Sequence, residues 1–484
     1  MNNYREKVMG CWLGKAVGGT LGLPFEGVDG PLDLHFYEPV PTEMLPNDDL
    51  DLQVVWACVL DQLAQVKVSR HVLAQAWLDH VDFPWDEYGV ALRNLKNGLQ
   101  PPLSGSHDNW FANGMGAPIR SELWACLAPG QPALAAAYAY EDACVDHADE
   151  GIWGEVFLSA LQSAAFVQSD TAILLRDALD TLPAESRVRR AVADTQTWWH
   201  EKRDWRAVRA LILQHHGHEN FTDAPMNIAF SVLGWLASEG DFSRAICIAT
   251  NCGKDTDCTA ATVGALMGII DPNSIGEKWL APIGRDLVLS PGIRELDAPA
   301  TLDAFTDLVL NLRERLNNQW PDEPELIQEV AHLKLPVKVA HVAQFPARNG
   351  LEFPAESGVV ELPGTFTSWQ HSDFEDEYLL VQYSFSLEKS EPVLVMFNCN
   401  QSCRVWVNGS FLFEREAGVM APSFHRVPER QQAEVQLEAG AHQLIAAIKR
   451  PVNGQAAQWV VGIGESVSKQ WIPGAFQVPE LVMA

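Results

Sequence analysis

Apolar residues recur at helical spacing through the first two thirds of the chain. Leu52, Val55, Trp56, Val59, Leu60 and Leu63 follow the i, i+3, i+4, i+7 rule and form one apolar face. Residues 156–167, 228–236 and 259–270 are apolar, rich in Ala and Leu, and divided by turns of Pro, Gly, Asp and Asn, so a many-helix all-α domain is predicted. In the first helix Gly10, Gly14, Gly18 and Gly22 recur every four residues and stack on one face. Such a stripe lets a neighbouring backbone or a ligand come close, and tight helix packing is the commoner use.

After Pro336 the period changes to two. Val381, Tyr383, Phe385 and Leu387 alternate with polar residues, and Val393, Val395 and Phe397 recur at the same spacing; each segment is read as a half-buried strand. Asn408-Gly409, set between Val405-Trp406-Val407 and Ser410-Phe411, suits the two positive φ angles of a type I′ hairpin. Further strands are predicted at 435–437, 444–448 and 459–463, which makes a β-sandwich of roughly residues 340–475, joined to the helices by the Pro- and acid-containing segment 321–336. Tyr383, Trp406 and Trp459 are candidates for stacking on a sugar ring, although alternation places aromatics inside a sandwich at least as often.

Composition narrows the partners. With 34 Lys and Arg against 63 Asp and Glu, the net charge of −29 repels nucleic acid phosphates and anionic lipid, so neither general nucleic-acid binding nor a membrane partner is expected. The opening residues carry Arg5, Glu6 and Lys7 and lack a signal peptide's apolar core, and no run approaches the roughly 18 apolar residues of a membrane span. Nine scattered cysteines, an odd number without zinc or disulfide spacing, fit reduced thiols in a cytoplasm.

Two acidic clusters far apart in sequence share one design. Asn47, Asp48, Asp49, Leu50 and Asp51 precede one predicted helix; Gly253, Lys254, Asp255, Thr256, Asp257, Cys258 and Thr259 precede another. Capping explains either cluster alone, because Asp and Thr accept from the free amides of a first turn. It explains less of the two together, since each helix start carries several oxygen ligands. If the two starts meet, Asp48, Asp49, Asp255 and Asp257 collect four negative charges, which two Mg²⁺ or Mn²⁺ ions would match charge for charge.

At this point residues 1 to about 275 resemble the ADP-ribosylglycohydrolase family, an all-α fold with a dinuclear magnesium centre. Gly14, Ala16, Gly18, Leu21, Gly22, Pro24 and Glu26 match its opening GxAxGDxLGxPxE pattern. Its Thr- or Ser-Asp-Asp motif falls on Asn47, Asp48 and Asp49, and its GGDTDT motif on residues 253–258. The resemblance implies an all-α ADP-ribosylglycohydrolase-like catalytic domain over 1–335. A smaller all-β sandwich of jelly-roll or galactose-binding-like type is read over 336–484. The implied metal ligands are Asn47, Asp48, Asp49, Asp255, Asp257 and Cys258. Glu26 is implied as acid/base or gate, with Asp49 or Asp257 as a second base. Gly114, Met115 and Gly116 look like the family's substrate loop and Asp146-His147 like its short Thr-His segment, while turn shaping by the glycines and a buried imidazole stay open as alternatives. Asn94, His107, Asp108, Asn109 and Asn227 are weaker candidates, read as turn or capping residues.

The sequence departs from the family pattern at Gly19 for Asp, Asn47 for Thr or Ser, Lys254 for Gly and Cys258 for Thr. Cys258 offers a soft sulfur that Mg²⁺ accepts poorly, which leaves one ion, two ions or another metal open. Lys254 is placed to reach a substrate phosphate or, more simply, solvent. The implied activity is metal-dependent hydrolysis of an ADP-ribosyl, ribosyl or related N- or O-glycosidic bond by metal-activated water, on a small-molecule glycoside or an ADP-ribosylated substrate. A non-catalytic sugar- or nucleotide-binding protein on the same fold is the alternative, and a structural protein with capped helices a third. The oligomeric state is not set by the sequence.

Overall fold

The glycine stripe of the first helix meets the helix that follows the second acidic cluster. Helix Tyr4–Gly22 lies along helix Thr256–Ile270 so closely that backbone touches backbone at every turn. A Cβ added to Gly10 would lie 2.4 Å from the carbonyl oxygen of Gly268, one on Gly14 2.0 Å from that of Gly264, and one on Gly18 2.2 Å from that of Ala260. Gly22, last in the row, sits on the backbone of Thr256 and Asp257, so the seam ends at the second acidic cluster. The stripe is therefore helix packing, and it delivers an acidic helix start to the end of the first helix.

The computed structural model describes residues 3–322, 335–349, 351–426 and 430–476. Residues 323–334, most of the expected linker, lie outside the described residues. The chain forms two compact units. The first runs from the glycine helix to Asp82 and includes Gln100–Ser106 and Phe111–Asp322. It is helical, and the predicted segments fall in helices Asp48–Gln62, Asp149–Ala165, Ala224–Ser238 and Thr256–Ile270. Its interior holds Trp12, Trp56, Trp77 and Trp124.

The second unit takes the described residues from 335 onward together with two earlier segments, Phe83–Leu99 and His107–Trp110. Its strands are β1 (Leu335–Val342), β2 (Gly358–Leu362), β3 (Phe366–Gln370), β4 (Tyr378–Leu387), β5 (Glu391–Cys399), β6 (Cys403–Val407), β7 (Ser410–Arg415), β8 (Gln432–Leu437), β9 (Gly440–Lys449) and β10 (Ala456–Glu465). They pair antiparallel in two sheets, ordered β2-β1-β4-β9-β6-β7 and β3-β10-β5-β8. Val381, Val405 and Ala446 of the larger sheet and Val395, Phe397 and Val461 of the smaller share one core, the sandwich that the period-two alternation predicts. The β6–β7 turn has Asn408 and Gly409 at φ 50° and 80°, as a two-residue hairpin with the strands' twist requires.

Tyr383, Trp406 and Trp459 all lie inside the sandwich unit. The Trp459 indole N–H donates to the Tyr383 hydroxyl (2.7 Å) and that of Trp406 to the carbonyl of Arg348 (2.9 Å), so these rings are core residues with their polar ends satisfied. The two earlier segments cover the outer face of the smaller sheet. Val90, on helix Asp86–Lys96, packs with Leu394, Met396, Val460 and Trp471. The Asp108 carboxylate accepts from the amides of Thr365 (2.8 Å) and Phe366 (3.1 Å) and from the Thr365 hydroxyl (2.9 Å). Asn94 donates to the carbonyl of His107 (2.7 Å), and Asn109 is buried in the same unit.

Candidate metal centre

Each acidic cluster opens a helix, and only one is used as a cap. Asn47 is extended and its Oδ1 accepts from the amide of Asp49 (2.8 Å), which caps helix Asp48–Gln62. Asp48, Asp49 and Asp51 follow in the first turn, where the helix dipole favours negative charge. Asp255 stands at the cap position of helix Thr256–Ile270, but its side chain makes no capping bond. Its amide faces Oδ1 of Asn227 (3.4 Å), whose Nδ2 donates to the carbonyls of Phe221 and Asp223.

A left-handed turn at Gly253 and Lys254, φ 76° and 69°, brings the chain into that helix. The Lys254 amide donates to the carbonyl of Val28 (2.6 Å) and its carbonyl accepts from the amide of Gly27 (2.8 Å). This two-bond tie holds the loop after Glu26 against the second cluster. The Lys254 ammonium pairs with Asp29 at the surface.

The two helix starts meet. Asn47 Nδ2 donates to Asp257 Oδ2 (3.4 Å), and Asp49, Asp257 and Cys258 each offer a ligand atom within 4.8 Å of the others. Among the described residues no other His, Cys, Asp or Glu set has this spacing. Asp49 Oδ2 and Asp257 Oδ1 are buried and make no hydrogen bond. Asp255 is buried beside them, Asp48 is half-buried, and Glu26 is exposed at the edge, near enough for its charge to act on Asp48 and Asp257.

Crowding shapes the protonation states. Burial, reinforced by Asp49 and Glu26, pushes the Asp48 carboxyl well above its usual range; burial, with Glu26 and Asp255, does the same to Asp257. Burial also raises the Cys258 thiol. Asp49 is raised by burial, an effect that the Lys15 ammonium partly offsets. A divalent cation fits this donor set: it would supply the charge and the ligand bonds that Asp49 Oδ2 and Asp257 Oδ1 lack.

The loop Gly114, Met115, Gly116 is fixed from beneath. Gly114 bridges to Asp223, Met115 is turned inward, and the Gly116 carbonyl accepts from Arg120 Nη1 (2.8 Å). Arg120 is fully buried between Asp142 (3.0 Å) and Asp146. His147 is also fully buried; its Nε2 accepts from the amide of Ala117 (3.3 Å) and its Nδ1 lies 3.1 Å from Asp146. Gln53 links this loop to the acidic centre, with its Nε2 2.8 Å from the Asp49 carbonyl and 3.4 Å from that of Ile119.

Three buried polar residues around the centre were not visible as site residues, Lys15, Gln53 and Glu122, while Arg120 closes the 114–120 segment that resembles the family's substrate loop. Lys15 interrupts the apolar, glycine-rich stretch that follows Lys7 in its helix, and that charge was the available signal. Gln53 and Glu122 sit in ordinary polar positions of the sequence, and only the fold brings them together.

The helical unit thus brings two helix starts together so that Asp49, Asp257 and Cys258 offer ligand atoms within 4.8 Å of one another. The ADP-ribosylglycohydrolase family model matches residues 1–318, and the chain belongs to that family. Its membership supports a glycohydrolase type of function. A solved structure described as an ADP-ribosylglycohydrolase-related protein complex is similar at 19% identity and a TM-score of 0.45, over 65% of this chain and 99% of that one. No curated protein matches. No helix among the described residues is long and apolar enough to cross a membrane.

Proposed function

We propose that the chain is a metal-dependent glycohydrolase that cleaves an ADP-ribosyl, ribosyl or related N- or O-glycosidic bond of a small-molecule or ADP-ribosylated substrate. The observation that carries this reading is the pair of buried oxygens, Asp49 Oδ2 and Asp257 Oδ1, left without hydrogen bonds within reach of Cys258. A bound cation is one of the few ways to satisfy two such carboxylate oxygens side by side. Asp48, Asp49, Asp255 and Asp257 would hold Mg²⁺ or Mn²⁺, with Cys258 beside them as a sulfur ligand better suited to a softer ion than Mg²⁺; Asn47, committed to its cap and to Asp257, contributes chiefly by positioning. When bound, the cation supplies Lewis acidity and fixed positive charge to the sugar site.

The chain's own residues have separable tasks. Glu26, exposed at the edge of the centre, moves a proton to or from the reacting sugar or water. Gly114 and Gly116 present a loop surface to the substrate, and His147 with Arg120 keeps that loop in place from below. We assign the activity to residues 1–335, treat 336–484 as an accessory domain, and place the protein in the cytoplasm on its odd, scattered cysteines.

The test is sugar release with added Mg²⁺ or Mn²⁺ from a panel of ADP-ribosyl arginine, ADP-ribosyl serine, nucleosides and aryl glycosides. The control is Asp255→Asn with Asp257→Asn. Release that disappears in the control supports the proposal and names the substrate class. Metal binding without release from any member favours the non-catalytic binding protein instead.

A further inference from the structure

Lys15 is a cation already built into the centre. Its side chain is 1% exposed, and its Nζ lies 3.2 Å from Asp49 Oδ1 and 3.1 Å from Glu122 Oε2. It stands between two carboxylates, the pairing that a buried ammonium requires. Glu122 is itself pinned: Gln53 donates to its Oε2 (3.0 Å) and Gln162 to its Oε1 (3.0 Å), while Gln53 Oε1 accepts from the amide of Leu123 (2.8 Å). Lys15 is thus held between two carboxylates, one of them a member of the acidic centre.

The consequence falls on Asp49. One of its oxygens is occupied by Lys15, and the other, Oδ2, is the one without a partner. Asp49 keeps one oxygen, Oδ2, for a cation, and a second dication on the Lys15 side would face an ammonium across a few ångströms of protein interior. Asp49 Oδ2 and Asp257 Oδ1 are the oxygens left without hydrogen bonds, and Asp49, Asp257 and Cys258 offer ligand atoms within 4.8 Å of one another.

We infer that Lys15 takes the place of one cation, so that this centre binds a single divalent ion per chain, held toward Asp257 and Cys258. This rests on the metal reading of the proposed function and refines it. The ion count would separate this chain from the two-ion centre that its family resemblance implies.

The experiment is equilibrium dialysis of the full chain against Mn²⁺, with electron paramagnetic resonance of the loaded protein. One Mn²⁺ per chain with an uncoupled six-line spectrum is expected. Two ions with an exchange-coupled spectrum overturn the inference and leave the metal-dependent glycohydrolase standing; no bound ion overturns both. The double variant Lys15→Met with Glu122→Gln removes the ammonium together with the carboxylate it would strand. It is expected to take up a second Mn²⁺ and show coupling, whereas Lys15→Arg stays at one. A folded double variant that still binds one ion overturns the role given to Lys15. The wild-type count needs no variant, so the inference stays open to refutation even where a substitution disturbs folding.

Discussion

Gly19 and Asn47 share one space: a Cβ on Gly19 would lie 2.9 Å from Nδ2 of Asn47. Both positions depart from the family pattern, and the geometry makes them a single fitted change, in which the longer Asn47 side chain fills what a side chain at 19 would occupy. Gly19→Asp is therefore expected to destabilise the fold by about 1–3 kcal/mol through crowding. Adding Asn47→Ser should return roughly 1 kcal/mol of that loss. Urea unfolding of the four proteins in the cycle checks the coupling, and strictly additive effects would show the two departures to be independent.

The helix seam makes a second expectation. Gly14→Ala drives a methyl into the Gly264 carbonyl, a backbone atom that cannot rotate away, and should cost about 1–3 kcal/mol or more despite alanine's better helix propensity. Gly22→Ala meets Asp257 Cα at 2.4 Å, so it should lower cation affinity as well as stability. Thermal melts with and without Mn²⁺ separate the two: Gly14→Ala shifts the melt with its metal response kept, and Gly22→Ala loses part of that response.

What the sequence disclosed follows from what is local. The period of the 52–63 helix, the alternation of β4 and the positive φ angles at Asn408-Gly409 are all set by neighbours in the chain and could be read without the fold, whereas β5, expected to be half-buried, is buried on both faces because Leu394 and Met396 pack with Val90. The two acidic clusters were legible as helix starts, because several carboxylates exceed what one cap needs. Their meeting was not, because it depends on the Gly22–Asp257 contact between residues more than 200 apart. Lys15 stood out as a lone charge, but its partner Glu122 looked like any helix-start acid until burial put them together. Nor could periodicity assign helix Asp86–Lys96 to the sandwich unit: an apolar face shows that a helix is covered, not what covers it.

Removing one carboxylate from the centre should stabilise the metal-free protein and abolish its response to metal. Asp257 is buried among like charges, so Asp257→Asn relieves repulsion at the cost of a ligand. With EDTA the variant is expected to melt above the wild type. With Mn²⁺ at a hundredfold excess over its dissociation constant, the wild type should gain roughly 3 kcal/mol and the variant little. A wild type indifferent to Mn²⁺ and EDTA would count against a metal centre altogether.

Glu26→Gln is expected to spare stability and remove turnover. The residue is exposed and supports no part of the core, so its replacement should change unfolding free energy by no more than about 0.5 kcal/mol. As the proposed proton carrier it should matter by about 100-fold or more in kcat. Steady-state kinetics on the substrate that the panel identifies, alongside a melt, checks both halves; an unchanged kcat takes Glu26 out of the mechanism.

Asp51 supplies a pH dependence whose sign can be worked out. It is fully buried, with Oδ2 accepting from the amide of Ser290 (3.1 Å) and Oδ1 without a partner. Burial pushes its carboxyl up to about 7, against the offset of the Ser290 bond. Between the ordinary carboxylate range and that value the folded protein keeps a proton that the unfolded chain has released. Its contribution to stability is therefore complete in acid and is lost as pH rises through about 7, by about 4 kcal/mol in all. Asp51→Asn keeps an acceptor for Ser290 and has no proton to lose, so its advantage over the wild type should be small at about pH 4 and grow to several kcal/mol by about pH 8. Urea unfolding in EDTA across that range reads the difference directly, and a gap independent of pH would mean that Asp51 is already ionised in the fold.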